Sequence, residues 1–448
     1  MSYIRIPSDR VPVLLTADVV VCGGGVAGIS SAIAAARHGA DVVLLEKMPT
    51  VGGMATNGLV NIWHTSDRTC QVIFGLVQEV IERGGDWVQR YDDFPDRHDT
   101  HWFEPEGMRL VFEALLREAG VRVVCNLMPV ETVVEAGRIQ AIFVDTKQGR
   151  RAVKGKVFID ATGDGDVAAN AGVPFRFGRD SDGCVQGSTL MFSLHGIDTD
   201  RARMNDPEMV SRLVAEMEAE ANDGLFPPFN NEVLRINLSG HANNHYPFNV
   251  APVAGNTIDE AELTEMTMRV RSFLPRYLER WRRCIPGYEN AEIEQTAACL
   301  GVRESRRIQG RVVLDRDMVL GTRKHGDAIG HGVWMIDIHD PKGSGYTTWS
   351  DGGEDHLTPK GKSYHIPLGM CLNEQFENLA VSGRCASSTH EGHASVRLQT
   401  HCMVMGQGVG TAATMSLNHH DSFHSVDVPE LQRLLRADGV FLEDVPSS

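Results

Sequence analysis

The stretch Ala17–Lys47, ADVVVCGGGVAGISSAIAAARHGADVVLLEK, decides the fold. Asp18–Cys22 is an apolar, β-branched run of strand length. It breaks into Gly23-Gly24-Gly25-Val26-Ala27-Gly28, which fits G-x-G-x-x-G. A small-residue segment of helical character follows to His38, and Gly39 is suited to cap it in a left-handed conformation. A second strand, Asp41–Leu45, ends on Glu46. Gly23 permits the tight turn, Gly25 lets a pyrophosphate approach the backbone, and Gly28 lets the helix pack close to the strand. The N–H groups and dipole of the helix start favour negative charge. Glu46, 18 residues beyond Gly28, is positioned to accept hydrogen bonds from an adenosine ribose. A lone glycine motif carries little weight. Here strand, glycines, helix, second strand and terminal acid occur in register, which predicts a dinucleotide site on a βαβ unit.

Outward from that unit, length and composition set limits. A chain of 448 residues exceeds the usual single core, so two domains are expected. The formal charge of −16 speaks against a nucleic-acid partner. No apolar run approaches transmembrane length, and the glycines begin too early to leave room for a cleaved leader, so neither a membrane nor a secretory route is expected. Nine cysteines without any C-x-x-C argue against a redox dithiol, an iron–sulfur site or a zinc ribbon. A soluble, reducing, cytoplasmic setting is the simplest expectation.

Along the chain, periodicity predicts helices over Gln71–Arg83, Glu106–Ala119, Asp206–Asn222, Ile258–Arg283, Thr400–Ser416 and Pro429–Ala437. Thr257 with Glu260 reads as a capping box. Strands are expected at Val121–Cys125, Val130–Val134, Ile139–Val144, Val157–Asp160 and Asn378–Ser382. The segment 86–104, with Trp87, Tyr91, Phe94, His98, His101 and Trp102, reads as a loop within reach of a ligand, or a surface loop with anchoring aromatics. Phe226–Asn256 is a proline- and asparagine-rich loop. From about Val185 to Ser363 the character changes, and no second G-x-G-x-x-G opens a βαβ unit, so a separate nicotinamide-cofactor domain is not expected.

Five separated motifs then agree: the N-terminal βαβ, Gly52–Gly58 (GGMATNG), Phe158–Gly172 (FIDATGDGDVAANAG), Gly301–Gly310 (GVRESRRIQG) and Asn378–Ala413. With them the chain resembles the FAD-dependent oxidoreductases of the glutathione-reductase-like (GR2) superfamily. The resemblance implies an α/β fold, a Rossmann-like FAD-binding domain with a parallel sheet (1–184 and 366–448) interrupted by an α+β substrate or cap insert (185–365). It implies that Gly23, Gly25, Val26, Ala27 and Gly28 meet the pyrophosphate. Glu46 and Lys47 lie at the adenosine ribose, backbone near Val130 at the adenine, and Ala161-Thr162-Gly163 along the adenosine side. Gly53, Met54 and Ala55 lie towards the flavin. Gly383-Arg384 stands where many relatives carry Gly-Asp at the ribityl chain. Ser395, Val396 and Arg397 begin the last helix at the pyrimidine edge, where a helix start and a cation stabilise reduced flavin. Relatives more often read T-H-x-A-x-G-S-x-R in that loop, and Gly392 and Ala394 depart from it.

Hydride transfer to flavin needs a group that takes the substrate's other proton or holds its oxyanion. His390, in the flavin-facing loop, is the first candidate base; the alternative is a histidine that only braces its loop. His393 and His365 (in Tyr364-His365-Ile366-Pro367) follow. Arg303, Arg306 and Arg307 cannot all face one way. If helical, Arg303 shares a face with one of the others, and one arginine clamps a substrate carboxylate or pairs with surface acids. Asp337-Ile338-His339-Asp340 lacks a second ligand pair, so no metal is expected. The leading function is a dehydrogenase or oxidase taking a hydride from a sugar, polyol, hydroxy acid or amine. The alternatives are a fumarate-reductase-like reductase of an activated C=C, a flavin monooxygenase, and a non-enzymatic flavin-binding subunit. A small-molecule substrate and an electron acceptor of open identity are the partners, and the oligomeric state is open.

Overall fold

The second half of strand β1 (Val13–Cys22) is apolar on both faces, and Val19, Val20, Val21 and Cys22 are fully buried, as befits a central parallel strand. It runs parallel to β2 (Val42–Leu45) on one side and to β6 (Gly149–Asp160) on the other. β3 (Arg122–Val124) extends the sheet beyond β2. The hairpin β4 (Met128–Glu135) and β5 (Arg138–Thr146) joins the first half of β6 antiparallel. The second half of β6 instead pairs in parallel with Leu379–Val381, within the stretch expected as a strand. The order is β3-β2-β1-β6-β5-β4, a mostly parallel α/β sheet. The computed structural model describes residues 10–91, 100–198, 200–202, 208, 246–249, 252–339 and 356–443. The helix expected at Asp206–Asn222, most of the loop Phe226–Asn256, and Phe94, His98 and Asp340 lie outside the described residues, apart from isolated positions.

Helix α1 (Val26–Arg37) follows β1, and Gly39 after it has φ +97°. The glycines of the helix packed against α1 have a steric cause. That helix, α4 (Gln399–Leu417), lies so close to α1 that a Cβ on Gly406 would sit 2.3 Å from Ala27 O, and one on Gly410 would sit 2.2 Å from Ser31 O. A second apolar core lies apart from the sheet. There α2 (Glu260–Cys284) buries Val270, Leu274 and Trp281 beside the antiparallel strands Phe192–His195, Tyr246–Phe248 and Glu292–Thr296. Phe192, Phe248 and Trp281 form its aromatic centre. Ile308, Leu314, Ile329 and Tyr364 pack with the first core instead.

Several local expectations are corrected. The helix read from Gln71 starts at Leu76, because Gly75 takes φ +67° and the Leu76 N–H donates to the Gln407 side chain. The cap of α2 is Asp259, which accepts from Glu262 N at 2.9 Å, whereas the Thr257 hydroxyl donates to Glu304 O. Residues 301–308 are not helical; Arg306–Ile308 pairs as a strand with Phe175–Phe177. Thr389 caps a short helix, α3 (His390–Val396). Ser395 and Val396 therefore close α3, Arg397 caps its end, and the last long helix begins at Gln399. Among the described residues no helix is long and apolar enough to cross a membrane.

Candidate functional site

The parallel strands place their C-terminal ends in register: Cys22 opposite Leu45 and Asp160, and Asp160 opposite Val381. Gly23, Glu46, Ala161 and Ser382-Gly383 therefore emerge along one edge, where open α/β sheets bind ligands. Two of the glycines are steric necessities of the fold. A Cβ on Gly23 would meet Ala161 O at 2.2 Å, and one on Gly28 would meet Gly23 O at 1.8 Å. Gly25 differs: its nearest described neighbour would be Gly53 Cα at 3.9 Å, so the approach to its backbone is open. The N-terminus of α1 has no acid in its first turn and no side-chain cap among the described residues. An open glycine at an uncapped helix start fits a pyrophosphate. The Gly52–Gly58 loop lies against it, with Gly52 N donating to Gly24 O at 2.7 Å and a Gly25–Gly52 bridge.

Glu46 is buried and accepts from Gly24 N (2.5 Å) and Met48 N (2.7 Å), which leaves each carboxylate oxygen with acceptor capacity. Lys47 Nζ lies 4.0 Å from Asp164. Arg384 donates to Asp164 at 2.6 Å and to Ser305 Oγ at 2.7 Å. Burial works against the charge of Asp164, but Arg384 and Lys47 hold it below the usual carboxylate range. Asp160 accepts from Thr162 N and Oγ1 and from Ala168 N; burial still raises it to about 6. Gly163 has φ +80°, Ala55 is fully buried, Val60 N donates to Met54 O, and Val130 sits at a bulge in β4. Gly383, at φ +88°, rests on Ala27.

A second cluster forms where α3 meets the segments 186–189, 301–307 and 333–339. His390 Nδ1 lies 2.8 Å from Glu304 Oε2 and 3.1 Å from Oε1. Glu304 also accepts from Gln186 N at 3.0 Å and from Arg307 Nη1, and it is completely buried. His393 Nε2 donates to Arg303 O at 2.9 Å, and burial lowers the His393 imidazole to about 3. Arg303 itself donates to Gly187 O and Thr189 Oγ1, both at 2.7 Å. Arg397 donates to Asp337 at 3.2 Å, and His339 lies 3.4 Å from the same carboxylate. Burial, then the Arg303 charge, lowers His339 to about 3. Ser395 Oγ donates to Trp334 O and pairs with Tyr364 OH at 2.9 Å, and Val396 is buried.

His390, His393 and Arg303 thus come together, whereas His365 does not join them. In its strand Tyr364 faces α3, and the next residue points the other way. His365 Nδ1 accepts from His325 N, and its ring meets His331 edge-on. The three arginines of 303–307 diverge, Arg306 to Asp166 and Arg307 to Glu304. Sequence reasoning passed over Glu304 and Gln186, and weighed Asp337 only as a metal ligand. The available signal was Glu304 itself, an acid inside a recognised motif and three residues before Arg307. Buried polar atoms without a hydrogen-bond partner among the described residues gather along these segments: Gln186 Nε2, Ser188 Oγ, His390 Nε2, His393 Nδ1 and Arg397 Nε, and Ser382 Oγ at the sheet edge.

A model of the family described as FAD dependent oxidoreductase matches residues 18–435. Curated relatives match over short stretches. The NADH:acrylate oxidoreductase of Vibrio harveyi is 52% identical over 48 residues, 10% of this chain and 5% of its own length. The fumarate reductase (cytochrome) of Shewanella frigidimarina is 49% identical over 51 residues, 11% of this chain and 9% of its own. The match therefore spans under a tenth of either relative. The chain is also similar to the solved structure of a geranylgeranyl bacteriochlorophyll reductase-like protein from Thermoplasma acidophilum. The TM-score is 0.46 and the identity 13%, over 94% of this chain and 84% of that one. With the family match covering most of the chain and a glycine loop that fits a dinucleotide phosphate, the protein belongs to the FAD-dependent oxidoreductase family, and its cofactor is FAD.

Proposed function

We propose that this oxidoreductase removes a hydride from a small polar substrate, a sugar, polyol, hydroxy acid or amine, with His390 accepting the substrate's O–H or N–H proton. The observation that carries the reading is the buried His390–Glu304 contact, with Nε2 of the ring left without a partner among the described residues. A histidine held at one nitrogen by a carboxylate has the other available for proton transfer. When bound, FAD supplies the hydride acceptor.

In the same reading the glycine loop at Gly23–Gly28 holds the pyrophosphate, Glu46 and Lys47 the ribose, and the Gly53–Ala55 backbone the flavin side. Arg384 and Asp164, as an ion pair, stand in for the acid that relatives carry at the ribityl chain. We place the FAD domain, of glutathione-reductase-like type, at 1–184 and 366–448 and the insert over the flavin at 185–365, with Ile308, Leu314, Ile329 and Tyr364 of that range packing back on the sheet's core. Arg303 contributes by building the insert's wall at Gly187 and Thr189.

The test is anaerobic exposure of the yellow holoenzyme to a panel of sugars, polyols, hydroxy acids and amines. Flavin bleaching by one of them is expected. The short matches to acrylate and fumarate reductases favour a second reading, reduction of an activated C=C. No bleaching, together with re-oxidation of dithionite-reduced enzyme by enoates, would replace the first reading with the second.

A further inference from the structure

We infer that Glu304 is the positioning residue of this site: its carboxylate holds His390 in the one tautomer whose Nε2 is a bare lone pair. The inference rests on the reading of His390 as the proton acceptor.

Glu304 has no solvent exposure, and among the described residues every hydrogen bond to its carboxylate comes from a donor. Gln186 N, Arg307 Nη1 and His390 Nδ1 converge on its two oxygens. Burial works against its charge, yet His390, His393 and Arg307 hold it below the ordinary carboxylate range. An ionised carboxylate only accepts hydrogen bonds. The ring nitrogen that faces it, Nδ1, must therefore carry the proton, and in the neutral imidazole Nε2 is then unprotonated. That nitrogen is buried and has no partner among the described residues. His393 Nδ1 is likewise buried without a partner among the described residues, so what sets His390 apart is the carboxylate held against its other nitrogen.

The geometry is anchored further back. Arg307 donates to Ser388 O at 3.0 Å and Gly178 O at 2.7 Å, so two backbone segments fix the guanidinium that fixes the carboxylate. His393 offers the contrast. Its Nε2–H donates to Arg303 O, which also leaves Nδ1 bare, but burial lowers it to about 3 and makes it a poor base. On proton transfer from substrate to His390 Nε2, the ring becomes an imidazolium. Glu304 stays ionised and balances that charge without taking the proton. The other charged or titratable groups on elements packed against α3 are Glu391 on the helix itself, Arg397 at its end with Asp337 and His339 opposite, Arg303, and Asp315, Arg316 and Asp317 at the neighbouring short helix. The side chains of Arg316 and Asp317 are exposed and screened by solvent.

The test uses FAD holoenzyme labelled with 15N-histidine, with His390 assigned from the resonances lost in His390→Ala. At alkaline pH, where imidazole is neutral, wild type should show a protonated Nδ1 and a bare Nε2. In Glu304→Gln the amide can donate as well as accept, so a mixture of tautomers is expected at unchanged FAD content. Flavin reduction by a bleaching panel compound should then slow on the order of 100-fold or more. An Nε2–H tautomer in wild type overturns the inference whether or not the variant folds, and so does an unchanged tautomer in a folded Glu304→Gln. His390→Ala reducing flavin at the wild-type rate overturns the base reading and the inference with it. A slow His390→Ala beside a Glu304→Gln of normal rate and tautomer overturns the inference alone.

Discussion

The glycine loop at Gly23–Gly28 is backbone from one continuous stretch, whereas the histidine cluster draws Gln186, Glu304, Asp337 and His390 from positions spread over some two hundred residues. In the loop what counts is an absence: Gly25 leaves room, and the helix start has no side-chain cap among the described residues. In the cluster it is a presence, a chain of side chains that hold one another. The loop is therefore sensitive to bulk and the cluster to charge and hydrogen-bonding capacity.

The sharpest test of that contrast lies within the loop. Gly25→Val should fold normally, with wild-type circular dichroism, yet purify colourless, because the new side chain occupies only the ligand's approach. Gly28→Val should fail to fold, since its Cβ would lie 1.8 Å from Gly23 O. A yellow Gly25→Val would show that the pyrophosphate lies elsewhere.

Asp160 brings charge into the backbone region. Burial raises it from 3.8 to about 6 in the folded protein. Between those values the unfolded chain has released a proton that the folded chain keeps, so stability falls as pH rises from about 4 to about 6. The loss attributable to this group amounts to about 3 kcal/mol. Denaturant unfolding across that window should show the decline in wild type relative to Asp160→Asn. A difference that does not change with pH would remove the group from the account.

Smaller, and confined to chemistry, is the effect at the cluster. His390→Ala should keep FAD and a nearly intact flavin spectrum but slow substrate-driven flavin reduction about 100-fold, equivalent to about 2.7 kcal/mol. Stopped-flow absorbance of the flavin reads it directly. If the variant instead lost FAD, the two regions would be coupled and the contrast between them would fail.

The same contrast explains what was legible beforehand. The βαβ unit and the late strand Leu379–Val381, within the stretch expected at Asn378–Ser382, are patterns whose physics is complete within one continuous stretch. Thr257 shows the limit: its spacing to Glu260 satisfies a local rule, but its hydroxyl goes to Glu304 O, 47 positions away. Tertiary contact likewise decides the 389–397 segment, where Thr389 and the contacts of His390 and His393 settle a helix that glycine and histidine content made look like a loop. In sequence His390 stood ahead of His365 only through its place in the flavin-facing loop. Strand alternation turns His365 away from α3, and a carboxylate from 86 residues upstream holds His390.

The Arg384–Asp164 pair has a consequence for heredity. Both side chains are largely buried, so replacing Arg384 leaves Asp164 with the more distant Lys47, and replacing Asp164 leaves the Arg384 guanidinium without a carboxylate among the described residues. The two codons thus behave as one locus. An acid placed at position 384 would stand against the Asp164 carboxylate, so a change of sign at one position calls for a change at the other.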